Sequence, residues 1–286
     1  MSAAVQQAEE TPEQIIARVE AKAERRLTSC GDGHMVSHIW GSGPPLVLLH
    51  GNFGSWMHWI RNVEELGRHY RVIAVDIPGF GDSAVPPEPY SFNSISQIIA
   101  AGLIEIVGDE KINLVGFSFG AATASETANT LGSRMRKLVL VSAGRNLAGV
   151  TRASMDEFVK WRDFQTRTER DAAHRRNLEV IMIGNPARID DLAVTIQSTN
   201  AERARLRAAP VRKDASTQVH VPNLKCQVGF IWADRDSTIG PHLHERSQWV
   251  HKYRPDARYI FIPDGGHWVA YEQPERFNQA LLDLMN

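Results

Sequence analysis

The chain has 286 residues, 43% hydrophobic and 23% charged, which is enough apolar material for one large domain that holds itself together without disulfides or a structural metal. A formal net charge of −1 excludes the basic footprint of a nucleic-acid binder or of a protein held on an anionic membrane surface. The two cysteines, Cys30 and Cys226, form no CxxC or Cys/His cluster, which excludes a disulfide framework and a zinc site and predicts reduced thiols in or near the core.

Residues 1–11 are polar and acidic and lack a basic start followed by an apolar run, so no signal peptide is expected. No stretch approaches the roughly 20 apolar residues that span a bilayer, and a cytoplasmic location is the expectation. Thr11-Pro12-Glu13-Gln14 combines a cap, a first-turn proline and a capping-box partner. It predicts a helix to about Arg26, with Ile15, Ile16 and Val19 as its apolar face, making residues 1–26 a helical extension packed on the main domain.

Met35 to Trp40 reads as an antiparallel edge strand or hairpin. Six short apolar runs follow: Leu46–Leu49, Arg71–Val75, Ile112–Val115, Leu138–Val141, Val228–Trp232 and Tyr259–Ile262. Runs of this kind, separated by helix-length segments, predict a mostly parallel sheet covered by helices on both faces. The rhythm breaks between Val141 and Val228. There, Phe158, Trp161 and Phe164, then Leu178, Ile181 and Met182, recur at helical spacing among Arg, Glu, Asp and Ala. Residues 146–222 are therefore expected to form an inserted helical lid over the carboxyl ends of the strands, leaving 27–145 and 223–286 as the core.

The chemistry centres on Gly116-Phe117-Ser118-Phe119-Gly120, set between the run Ile112–Val115 and the small-residue helix start Ala121-Ala122-Thr123-Ala124. A G-x-S-x-G segment between strand and helix turns the chain sharply enough to lift a serine clear of the sheet, and the following helix aims backbone N–H groups at a developing oxyanion. His50-Gly51-Asn52-Phe53-Gly54 follows a buried run and offers a second oxyanion donor, assigned to the Asn52 N–H beside that of Phe119. His50 reads as a buried neutral imidazole that ties loops together, and His58 as packing. Of the 11 histidines, His267 in Asp264-Gly265-Gly266-His267-Trp268 lies just past the last apolar run, where a base can reach Ser118. Asp234 and Asp236 compete to orient it, and Asp236, further into its loop, is preferred. The other acid position used by such triads reads Ser142-Ala143-Gly144-Arg145 and holds no carboxylate.

With the order Ser118, Asp236, His267, the chain resembles the α/β-hydrolase family from about Leu27 to Leu284. Further marks are Asp76-Ile77-Pro78-Gly79-Phe80-Gly81-Asp82-Ser83 and Gly266-His267-Trp268 followed by Glu272-Gln273-Pro274. The resemblance implies an eight-stranded, mostly parallel sheet with a helical lid, a small-molecule substrate and no cofactor or metal, and it is compatible with a homodimer. Within the family the chain looks like the lidded carboxylesterases and the hydrolases that split a carbon–carbon bond in vinylogous 1,5-diketones. His267-Trp268 and Pro186-Ala187-Arg188-Ile189-Asp190-Asp191-Leu192 resemble segments of the latter. Those hydrolases carry a carboxylate-binding arginine on the lid helix; the nearest position here is Ile196, and Arg188, Arg203 and Arg205 are the candidate replacements. Cofactor-free perhydrolysis and a receptor role use the same fold and stay open. Phe53, Trp161, Phe164 and Trp268 are the candidate pocket walls.

Overall fold

The structure is a computed structural model that describes residues 10–143, 157–206, 220–239 and 242–286. The first nine residues, on which the expectation of no leader rests, and both flanks of the expected lid lie outside the described residues.

Eight strands form one sheet in the order β1-β2-β4-β3-β5-β6-β7-β8. They are β1 Glu24–Cys30, β2 Gly33–Trp40, β3 Pro45–Leu49, β4 Arg71–Val75, β5 Ile112–Phe117, β6 Met135–Val141, β7 Gln227–Ala233 and β8 Arg258–Ile262. β1 with β2 and β2 with β4 pair antiparallel, and every pair from β4 onward is parallel. The chain runs from β3 outward to β4 and then returns to the other side of β3 as β5. The strand order therefore reverses between β3 and β5, and a crevice opens at the carboxyl ends of those two strands. Residues 50–54 and Ser118 emerge there.

Alternate residues of the central strands feed two cores. Val47, Leu49, Leu114, Leu138 and Leu140 pack with the helices Phe92–Val107 and Phe119–Leu131. Leu46, Leu48, Val115, Val139 and Val141 face the opposite side, with Phe277, Leu281 and Leu284 of the closing helix Pro274–Met285. β3 and β5 are buried throughout, which explains their uninterrupted apolar character. β8 departs from that expectation. As the terminal strand it leaves Tyr259 and Phe261 about two-fifths exposed.

The N-terminal helix starts as expected, with Thr11 and Gln14 in a reciprocal capping box, but it ends at Glu20 rather than near Arg26. Residues 24–26 instead begin β1, so the boundary placed after residue 26 falls inside a strand. Charged residues there are tolerated because β1 is an edge strand with its first four positions exposed. The helix is anchored by the Trp40 indole, which donates to the Val19 carbonyl at 3.0 Å.

Between β6 and β7 the described residues contain the helix Arg167–Asn177, extended by a wide turn Leu178–Met182, and the helix Asp191–Arg203. The expected helical stripe through Phe158, Trp161 and Phe164 is instead extended chain with one tight turn at Trp161–Asp163. Its backbone is held from outside: the Asn177 side chain donates to the Val159 carbonyl and accepts from the Val159 amide.

Candidate active site

Ser118 sits between β5 and the helix Phe119–Leu131 with φ of 53°, a left-handed conformation that a non-glycine residue adopts at a cost. The turn is forced by close packing on either side. A Cβ on Gly116 would lie 2.3 Å from the Gly120 carbonyl oxygen, and one on Gly120 would lie 2.4 Å from the carbonyl oxygens of His50 and Leu49. Both glycines of the motif are thus required by backbone passing backbone, and the contact binds the elbow directly to the end of β3.

Three side chains converge from three loops. His267 Nε2 is 2.8 Å from Ser118 Oγ, and His267 Nδ1 is 2.8 Å from Asp236 Oδ2. Asp236, the aspartate beside His267, is fully buried, whereas Asp234 is exposed. Burial pushes the Asp236 carboxyl up, but the charge and hydrogen bond of His267 and two hydrogen bonds from Thr238 outweigh it and hold the group below its ordinary value. The fixed carboxylate accepts from Nδ1–H, which leaves Nε2 free to take a proton from Ser118.

Two supporting residues escaped the sequence reading. The Thr238 amide and hydroxyl both donate to Asp236 Oδ1, at 2.8 and 2.7 Å. An aspartate followed two residues later by threonine is the pattern of such a turn, and it was the available signal. Ser142, with φ of 48°, donates its hydroxyl to the His267 carbonyl at 2.9 Å. The position that holds no carboxylate therefore still braces the base. Arg246, fully buried, lies where its charge acts on Asp236, and burial brings its guanidinium down to about 10.

The turn after β3 is held by histidines. His50 Nε2 accepts from the Ile77 amide at 2.9 Å and its Nδ1 lies 2.7 Å from the Gly51 carbonyl, with burial pulling the imidazole down to about 4. It is the neutral tie expected of it. His58 Nδ1 accepts from the Gly51 amide at 3.2 Å. Asn52 and Phe53 follow Gly51, with Phe53 at φ of 52° and 37% exposed. A Cβ on Gly51 would meet Ser118 Cβ at 3.4 Å, so this turn abuts the elbow, and the Phe119 amide opens the helix beside it.

The expected pocket walls are scattered. Trp268 is buried, stacks on Tyr271 at 4.2 Å between ring centroids, and spends its indole N–H on the His58 carbonyl. Trp161 packs at a tilt against His174, 5.1 Å between ring centroids, within the inserted segment, and the Phe164 carbonyl accepts from Arg170. A separate cleft of about 340 Å³ is lined by Arg61, Arg188, Asp190, Glu272 and Glu275 among others, and none of Ser118, Asp236 and His267 lines it. No cluster of three or more metal-ligating side chains occurs among the described residues. No helix among them is long and apolar enough to cross a membrane.

The chain belongs to the α/β-hydrolase fold family, whose profile matches residues 44–274. It is 27% identical over 253 residues to the dihydrolipoyllysine-residue acetyltransferase component of an acetoin cleaving system from Pseudomonas putida, covering 85% of this chain and 64%, just under two thirds, of that protein. It is 27% identical over 251 residues to a 2-hydroxy-6-oxononadienedioate/2-hydroxy-6-oxononatrienedioate hydrolase from Paraburkholderia phymatum, covering 84% of this chain and 86% of that one. Among solved structures, the esterase RhEst1 from Rhodococcus sp. ECU1013 superimposes with a TM-score of 0.75 at 23% identity over 91% of this chain and 97% of that one, a likeness of fold.

Proposed function

We propose that this protein is a serine hydrolase that cleaves a small-molecule ester through an acyl-enzyme. The observation that carries the reading is the unbroken chain Ser118 Oγ–His267 Nε2 and His267 Nδ1–Asp236 Oδ2, both links 2.8 Å. His267 takes the Ser118 proton as Oγ attacks the ester carbonyl, and the N–H groups of Phe119 and Asn52 receive the oxyanion. Collapse expels the alcohol, protonated by His267, and water repeats the sequence to free the acid.

Carbon–carbon hydrolysis is the second reading, favoured by the similarity to the dienedioate hydrolase. The arginines weigh against it. Arg188 donates to the Glu272 carbonyl, Arg203 pairs with Asp82, and Arg205 donates to the carbonyls of Gly81 and Ser83. These guanidinium groups are each paired with other groups of the chain, and Ile196 is fully buried. Ester substrates need no such cation.

The inserted segment serves as the lid in this reading. In support, its Met182 carbonyl accepts from the Trp268 amide at 2.7 Å and its Ile181 carbonyl accepts from the Ser237 hydroxyl at 3.1 Å, beside the loops that carry His267 and Asp236. The cytoplasm is the compartment assigned, in keeping with Cys30 and Cys226 as free, buried thiols.

Hydrolysis of p-nitrophenyl esters from acetate to octanoate, with wild type beside Ser118→Ala, tests the proposal. Turnover that depends on Ser118 and varies with chain length supports it. Turnover of a 2-hydroxy-6-oxo-dienoate with inert esters would replace it with the carbon–carbon reading. Saturable ligand binding with no turnover would leave a receptor.

A further inference from the structure

Glu272 lies five residues past His267, at the end of the short helix Val269–Glu272, and is 2% exposed. Its carboxylate accepts three backbone N–H groups from two separate loops. Oε2 takes those of Gly266 at 2.7 Å and Gly184 at 2.9 Å, and Oε1 takes that of Asn185 at 2.8 Å. Its own carbonyl accepts from Arg188 at 2.7 Å. Gly184, Asn185 and Arg188 belong to the inserted segment, and Gly266 immediately precedes the base.

The two loops meet without side chains between them. A Cβ on Gly266 would lie 2.2 Å from the Gly184 nitrogen, and one on Gly184 would lie 2.9 Å from the Gly266 nitrogen. The Gly266 N–H is buried where the two backbones meet, so its acceptor must come from the protein, and a charged one bonds most strongly. The peptide from Gly266 to His267 sets where the imidazole begins. On the far side of the base, Ser142 braces the next peptide by donating to the His267 carbonyl. Glu272 supplies the matching brace on the near side and joins it to the inserted segment.

We infer that Glu272 is a positioning residue for the base: its carboxylate fastens the Gly265–Gly266 peptide, which leads into the base, to residues 184–185 and so sets the approach of His267 to Ser118. The inference rests on the proposed roles of Ser118 and His267. Placement of this kind matters because a displacement near 1 Å costs about 100-fold in rate.

The test is covalent labelling of Ser118 by an alkyl fluorophosphonate, which reads nucleophile activation without knowledge of the substrate. Labelling rates are measured against pH for wild type, Ser118→Ala, Glu272→Gln and, as a control for lost stability alone, Leu284→Ala. Wild type should label and Ser118→Ala should not; an unlabelled, folded wild type would overturn the serine reading and this inference with it. Glu272→Gln should label about 10- to 100-fold more slowly with a displaced pH profile. Leu284→Ala should keep the wild-type profile despite a lower Tm. If Glu272→Gln loses Tm yet labels like wild type at every pH, the carboxylate is structural only and the inference is wrong. Should that variant not fold, Gly184→Ala decides the matter, read beside Arg235→Gly/Gly184→Ala, because it keeps the carboxylate and pushes a methyl group against the Gly266 backbone and Arg235 Cβ, and the double variant relieves only the second contact. Slowed labelling with a displaced profile supports the coupling, and unchanged labelling overturns it.

Discussion

Thr238 closes both of its donors onto one oxygen of Asp236, the amide at 2.8 Å and the hydroxyl at 2.7 Å, so that among the described residues Oδ2 is left to His267. The hydroxyl also lies 3.1 Å from His267 Nδ1, close enough to accept a share of that N–H if Asp236 turned away. Thr238→Val removes the hydroxyl with little change of shape. The expected outcome is a loss of about tenfold in kcat, since one hydrogen bond to a charged group is worth roughly 1.5–3 kcal/mol and only part of it bears on the reaction. Steady-state kinetics should show kcat falling with KM held. A KM effect alone would make Thr238 a substrate contact.

Ser118→Ala and His267→Ala are each expected to lower kcat on the order of 10⁴- to 10⁶-fold, and the double variant little further, because the two act as a unit. Rates measured under single-turnover conditions check this. Additive losses would mean that the two side chains do not share one step, whatever their 2.8 Å separation.

Gly120 carries a prediction about architecture. A methyl group there would meet the carbonyl oxygens of His50 and Leu49 at 2.4 Å, and these are backbone atoms that cannot swing aside. Gly120→Ala should therefore destabilise the fold by about 1–3 kcal/mol and also displace the elbow from the turn after β3. Denaturant unfolding reads the first effect and esterase activity the second. Wild-type stability would show that the helix Phe119–Leu131 can retreat without cost.

This packing also marks how far the sequence could be read. Ser118, Asp236 and His267 could be singled out because each follows an apolar run that reads as a strand, and the chain order of the three matches one known arrangement. Asp236 could be preferred to Asp234 from loop position, although its burial and the grip of Thr238 emerge only on folding. Glu272 and Ser142 gave no comparable signal. Apart from Gly266, their partners are backbone groups more than eighty residues away, and no periodicity encodes a contact of that range. The errors share a cause as well. β1 is charged and exposed over Glu24–Leu27, so local pattern extended the preceding helix through it. Around Phe158 to Phe164 the apolar spacing was helical, but Asn177 claims the backbone of Val159 for itself.

Two buried aspartates should give opposite pH signatures. The Asp76 carboxylate accepts from the amides of Trp56 and Asp82, yet complete burial outweighs those bonds and raises it from 3.8 to about 7. Its protonated form is favoured in the folded state, so its contribution to stability is full below about pH 4 and is lost as pH rises toward 7. Asp236 is shifted downward, so its contribution is present above the ordinary carboxylate range and is lost as pH falls through its folded value. Unfolding free energies of wild type, Asp76→Asn and Asp236→Asn across pH 4–8 separate the two. The margin of wild type over Asp76→Asn should shrink by about 1.4 kcal/mol per pH unit up to neutrality and then level off. The margin over Asp236→Asn should instead persist at neutral pH and narrow only under acid. That variant should also lose about 10⁴-fold in kcat, because an amide in place of the carboxylate permits the wrong tautomer of His267. A margin over Asp76→Asn that stayed flat from pH 4 to 7 would mean that Asp76 remains ionised in the fold, its two amide donors outweighing burial after all.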